Sequence, residues 1–193
     1  ARPERIAEIL RAEQAGERDV GLYIRDPQVV VAHAPQSLFL DPSHTYRLAL
    51  QVRPLNTPQH SGWCVRPATP GDAAELDRIT RTRKMVPLRD GYLESLSPDG
   101  PVTLLVVAEN IPDGRGRLFG AVTGVDHVRA FADPDHGASL WSLAVDPQCP
   151  YPGVGMALVC AIANHFRVQG RSYLDLSVMH DNAEAIALYE RLG

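Results

Sequence analysis

The chain has 193 residues, 45% of them apolar and 22% charged, with a net charge of −4 and a mean hydropathy of −0.15. That composition excludes a disordered chain, which would lack the apolar residues for a core, and a disulfide scaffold, since Cys64, Cys149 and Cys160 are the only cysteines and form no CxxC pair. No stretch approaches the roughly 18 apolar residues of a membrane span, and the acidic balance argues against a general nucleic-acid binder.

Residues 1–62 read as an N-terminal α+β extension. Ile6, Ile9 and Leu10 have helical spacing and are not part of an apolar signal core, so a short amphipathic helix is expected within 1–16. Strand-like runs follow at 21–24, 28–33, 37–40 and 46–52, punctuated by turns at Asp26-Pro27 and Asp41-Pro42. Residues 54–62 are polar with two prolines and read as a linker. The sparse, unpaired cysteines predict a reducing, cytoplasmic setting. The seven histidines are scattered without ligand-like spacing, and no metal is expected.

A second region, 63–193, is more regular. Residues 63–68 predict a strand. Thr69 and Pro70 then suit the cap and first turn of a helix with Ala73, Leu76 and Ile79 on one face. A further helix is expected over 88–96, then a turn at 97–100. Strands are expected at 103–109, 117–126 and 138–145, with a turn at Pro112-Asp113-Gly114. A glycine-bearing loop, 150–155, feeds a long helix with Leu158, Ala161, Ile162, His165 and Phe166 as its stripe and Gly170 as its stop. Residues 173–178 form a strand. Asp181 and Glu184 have capping-box spacing before a last helix over 183–192. The order β α α β β β α β α is that of an α/β domain.

Gly153-Val154-Gly155 sits between a strand and a helix. Glycines there allow backbone N–H groups to approach an anion, and the helix N-terminus adds unpaired donors and a positive dipole end. A tight turn without a ligand would use the same residues. The dinucleotide fingerprint is incomplete, because Leu158 stands where its third glycine belongs. GK[ST], GxSxG and HExxH motifs are absent.

Taken together, Ser-Leu-Trp-Ser-Leu-Ala-Val-Asp-Pro at 139–147, Gly153-x-Gly155-x-Ala-Leu, Leu-Asp-Leu-Ser-Val at 174–178 and Asn182-Ala-x-Ala-x-x-Leu-Tyr-x-x-Leu-Gly resemble the GNAT N-acetyltransferases. The resemblance runs from about Trp63 to the end. It implies an α/β fold with a mixed central sheet flanked by helices. It also implies two further strands after the last helix, which this chain lacks; either the chain is a fragment, or strands from residues 1–62 fill the missing edge. Acetyl-CoA is implied as co-substrate. Its pyrophosphate would lie on the amides of Gly153, Val154, Gly155, Met156 and Ala157, its pantetheine arm along Leu143, Ala144 and Val145, and Asn182 would contact it. Tyr189 would protonate the leaving thiolate, and a backbone N–H near Val145 would hold the oxyanion. Arg81 and Arg83, near the only lysine, Lys84, lie where the family receives its acceptor, and are candidates for binding an acceptor carboxylate.

Two departures from the family pattern stand out. Pro150 replaces the usual Gln or Arg of the loop, and no carboxylate lies on the strand before it. That leaves Asp126, His127 and Glu109 as candidate bases, and a non-catalytic acyl-CoA-binding or regulatory module as the alternative reading. Residues 83–90 and 175–182 also resemble the acetyltransferase half of fused acetyltransferase/ATP-grasp proteins that make N-acetylglutaminylglutamine amide, an osmoprotectant. That narrower resemblance implies a small-molecule amine such as glutamine or glutaminylglutamine as acceptor and a linked ATP-grasp domain. A homodimer is compatible with the sequence, and neither nucleic acid nor membrane is expected as a partner.

Overall fold

A computed structural model of the chain describes residues 2–14, 24–40, 43–111 and 116–192. The expected strand residues 21–23 and the Asp41-Pro42 and Pro112-Asp113-Gly114 turns fall wholly or partly outside them. The chain divides into two compact units, Ala1–Ser43 and His44–Gly193.

In the first unit, α1 (Pro3–Arg11) buries Ala7, flanked by Ile6 and Leu10. Residues 28–33 are not a strand. They lie in α2 (Pro27–Ala32), where proline at the first turn presets the helical φ and Val30 is buried in one cluster with Ala7 and Ala34. Packing here overrides the β preference of three consecutive valines. Residues 37–40 form no strand either.

The second unit is built on a six-stranded sheet. Its strands are β1 (Ser43–Ala49), β2 (Trp63–Pro67), β3 (Val102–Glu109), β4 (Leu118–Asp126), β5 (Gly137–Val145) and β6 (Tyr173–Met179), in the order β1-β6-β5-β4-β3-β2. The pairs β2–β3, β3–β4 and β4–β5 are antiparallel, and β5–β6 is parallel. β1, from the N-terminal side of the chain, lies on the free edge of β6. Leu50 N–H donates to Ser172 O at 2.9 Å, and the Arg47 guanidinium grips Asp175 through two 2.7 Å bonds. The edge that the resemblance left open is thus covered, by the 46–52 run shifted a few residues earlier rather than by 28–33.

Helices cover both faces. After a 3₁₀ turn (Pro70–Asp72) come α3 (Ala73–Thr82) and α4 (Tyr92–Ser95), whose Leu76, Ile79 and Leu93 pack on Leu104 and Val106. On the opposite face, α6 (Val154–Val168) and α7 (Ala183–Leu192) pack with Leu105 and Val107, the alternate residues of β3. A strand buried on both sides accounts for its unbroken apolar run. Gly124 lets α6 approach closely, since a Cβ there would lie 2.5 Å from the Phe166 ring. Gly170, at φ +78, closes α6: its N–H reaches Arg167 O while Arg171 N–H reaches Phe166 O.

Three local expectations change. Ala73 is exposed, and the buried residue of that turn is Asp72, which accepts the Thr69 N–H at 2.7 Å. The helix expected over 88–96 is only the single turn α4, because Gly91 at φ +72 interrupts it. A short helix, α5 (His127–Phe131), follows β4, capped by the Asp126 carboxylate, which accepts the N–H groups of Val128 and Arg129. No helix among the described residues is long and apolar enough to cross a membrane.

Candidate active site

The site begins with a failure of pairing. β5 and β6 are bonded only from Gly137–Ser139 to Tyr173–Asp175. Beyond that the strands part, and Leu140 to Leu143 face Ser177 to Met179 across a cleft of about 680 Å³. β5 also carries a bulge here: Ser142 pairs with Thr123 and Leu140 with Gly124, so Trp141 is the extra residue. The bulge turns Trp141 into the cleft, where it is 50% exposed. Its indole N–H donates to Ser139 Oγ at 2.7 Å, and Ser139 Oγ lies 2.7 Å from His127 Nε2.

The floor of the cleft is the start of α6. Gly153 is its N-cap at φ +83, a conformation that strongly favours glycine, and a Cβ there would meet nothing within 4 Å. No side chain caps this helix, and its first turn holds no acidic residue. The N–H groups of Val154, Gly155 and Met156 therefore have no intrahelical acceptor and point to the mouth of the cleft, at the positive end of a 15-residue helix. The Ala157 N–H is already committed to Gly153 O at 2.9 Å, and its side chain is buried in the core, so it is no anion donor.

A buried ion-pair knot anchors the loop leading to this turn. Asp146 is 1% exposed and meets Arg117 at 2.7 Å and Arg78 at 2.9 Å. Burial pushes its carboxyl up, but the Gln148 N–H and the two guanidiniums outweigh that and hold it down at about 2. In the sequence Asp146 stands only as the Asp of the 139–147 motif, with nothing to mark its two arginine partners.

The last helix supplies the remaining wall. The N-cap of α7 is Asn182, not Asp181: its Oδ1 accepts the Ala185 N–H at 3.2 Å and its carbonyl accepts from Ile186. Tyr189 lies two turns further on, largely buried, with burial pushing its hydroxyl above the ordinary tyrosine value.

Leu143, Val145, Gly153, Val154, Gly155, Met156, Asn182, Tyr189 and Arg83 therefore share one cleft. Ala144 does not face it, because strand alternation turns its side chain into the α3 core. Arg81 does not either; it is held by Asp77 at 2.7 Å on the exposed side of α3. None of the three candidate bases lines the cleft. Asp126 is consumed by its cap and by a bidentate Arg171, His127 bonds Ser139, and Glu109 sits at the β2 edge opposite Trp63. Met85, Trp141, Ser177, Glu184 and Arg191 line the cleft without having been named as site residues; Glu184 was read only as part of a helix cap. Trp141 had a signal: a large apolar residue between Leu140 and Ser142 disrupts strict strand alternation.

Comparison with known proteins places this arrangement. Residues 73–193 match the Acetyltransferase (GNAT) family. Over 90 residues the chain is 37% identical to a mycothiol acetyltransferase of Kocuria rhizophila, covering 47% of this chain and 28% of that protein. Over 56 residues it is 43% identical to the ribosomal protein bS18-alanine N-acetyltransferase of Escherichia coli, covering 29% and 38%. The chain thus spans well under half the length of both curated relatives. A crystal structure of the Escherichia coli ribosomal-protein-S18-alanine N-acetyltransferase superposes with a TM-score of 0.53 at 24% identity, over 68% of this chain and 76% of that one, which is a likeness of fold. With the family match covering most of the second unit, the chain belongs to the acetyltransferase (GNAT) family.

Proposed function

We propose that the chain is an acetyl-CoA-dependent N-acetyltransferase whose acceptor is the amine of a small amino acid or dipeptide. The observation that carries this reading is the splay of β5 from β6, which opens onto an uncapped α6 N-terminus with Tyr189 on its wall. The residues fit acetyl-CoA: the orphaned amides of Val154, Gly155 and Met156 suit its pyrophosphate, and the backbone of Leu143–Val145, paired with β4 but with no described strand bonded on its β6 side, suits its amide-bearing arm as an added strand. Acetyl-CoA supplies the acetyl group as an activated thioester.

The chain's own residues account for the rest. A backbone N–H near Val145 would receive the oxyanion. The amine would add to the thioester carbon, and loss of the C–S bond would then restore the carbonyl from that oxyanion; the Tyr189 hydroxyl, kept protonated by burial, would give its proton to the departing sulfur. Among the lining residues Glu184 is the single carboxylate, and it stands in the first turn of α7. The acceptor amine would lose its proton through water or to this carboxylate. Arg83, free of any ion pair among the described residues, would grip an acceptor carboxylate beside Met85 and Trp141. The narrower sequence resemblance makes glutamine and glutaminylglutamine the first acceptors to test, with an ATP-grasp domain as the linked partner.

CoA release from acetyl-CoA, followed with glutamine, glutaminylglutamine and a panel of other amino acids and dipeptides, tests this. Turnover with a small amine is expected. Folded protein that binds CoA but turns over none of them sinks the proposal. It would favour the second reading, a non-catalytic acyl-CoA-binding module, which the absence of all three candidate bases from the cleft supports.

A further inference from the structure

We propose a second ligand site on this unit, a pocket of about 230 Å³ that binds a small amphipathic carboxylate between Arg53 and Arg167. It lies where the end of β1 and the segment after it pass over α6, and it shares no lining residue with the acetyl-transfer cleft.

The charge in this pocket is one-sided. Its lining contains two arginines and no Asp or Glu. Neither Arg53 nor Arg167 has an ion pair or a side-chain hydrogen bond among the described residues. Arg47, Arg66, Arg78, Arg81, Arg117 and Arg171 of this unit each meet a carboxylate within 3 Å, whereas Arg53 and Arg167, like Arg83, Arg89 and Arg191, meet none among the described residues. Arg53 stands exposed at the mouth and by itself would be an ordinary solvated side chain. Arg167 is different: its Nε is buried without any acceptor. No group among the described residues pairs with the Arg167 guanidinium, which leaves its charge to an anion in the pocket that Arg167 lines.

The pocket is also preformed. Asn164 of α6 pins the overlying segment by accepting the Leu55 N–H at 2.9 Å and donating to Leu55 O at 2.7 Å. Gln51 is tied to Arg171 O at 2.7 Å. The remaining wall is apolar, from Leu48, Leu50, Val52 and Leu192. Two guanidiniums beside an apolar wall match a carboxylate with a short hydrocarbon tail better than they match inorganic phosphate, which would leave the wall uncovered.

Calorimetric titration of the full chain, saturated with CoA so that the cleft is occupied, tests the site with hexanoate, its neutral analogue hexanamide and inorganic phosphate. Hexanoate is expected to bind one site, at least about tenfold more tightly than the other two. Arg53→Gln and Arg167→Gln are each expected to weaken hexanoate about tenfold. Hexanamide or phosphate binding as tightly as hexanoate, no hexanoate binding, or unchanged affinity in the variants overturns the proposal. If Arg167→Gln lowers the melting temperature too far to titrate, the exposed Arg53→Gln decides alone.

Discussion

At the scale of single residues, Tyr189 and Gly153 carry the sharpest expectations. Tyr189→Phe keeps the ring in its buried place and removes only the donor. It should lower kcat by about 100-fold, the ordinary weight of a general acid, with little change in the KM for acetyl-CoA; an equal loss in both would contradict the role. Burial raises the Tyr189 pKa, so the acid form persists through neutral and mildly alkaline pH. The rate should therefore climb with pH as the acceptor amine deprotonates and fall only above pH ~10, where tyrosine ordinarily ionises. In a pH–rate series the rising limb should move when the acceptor is changed. Gly153→Ala has room for its Cβ but not for its φ of +83. Left-handed backbone strain of about 1–2 kcal/mol should then appear as weaker CoA binding, measured by titration. Tyr189 and Gly153 were legible in the sequence because each sits in a short motif with fixed spacing. Arg191 and Glu184 were not, since nothing local tells a cleft wall from an exposed surface.

At the scale of elements, Asp146 links the end of β5 to α3 and to the loop before α6. Asp146→Asn would leave Arg78 and Arg117 facing a neutral partner and should cost about 3 kcal/mol, read by urea denaturation, with a raised KM for acetyl-CoA as the loop loosens. Its carboxyl titrates near 2, below the ordinary 3.8, so the bound form is the ionised one. The stabilisation is complete above about pH 4 and disappears as the pH falls through 2, a contribution of about 2 kcal/mol. The wild type should lose more stability over that range than Asp146→Asn does. The helices and strands of 63–193 were mostly readable from periodicity. The exceptions have local causes: a positive φ at Gly91 shortened α4, and Asp126 started α5 where only a strand end was expected.

At the scale of the molecule, every lining residue of the cleft and every strand of the sheet but the first residue of β1 lies within His44–Gly193. A chain beginning at His44 should therefore fold and bind CoA with the affinity of the full chain. Calorimetry and thermal melting of the two chains side by side check this. A chain beginning at Trp63 should fare worse, because it removes β1 and with it the Arg47–Asp175 pair and the cover on β6.

By itself the sequence determined the class of fold, the glycine turn and the long helix, because these depend on periodicity and short-range spacing; the family entered through the resemblance of its motifs to known acetyltransferases. Tertiary structure decided the rest. Only strand pairing shows that β5 and β6 part after Ser139, that Trp141 is bulged into the gap, and that a strand from before residue 50 seals the far edge. It also decided which charges are spent: Asp126, His127 and Arg81 looked available in the sequence, and each is held by a partner that long-range folding, or the exposed side of a helix, brings to it. Local propensity reports what a segment favours; which groups face one another across a cleft is set by contacts between residues far apart in the chain.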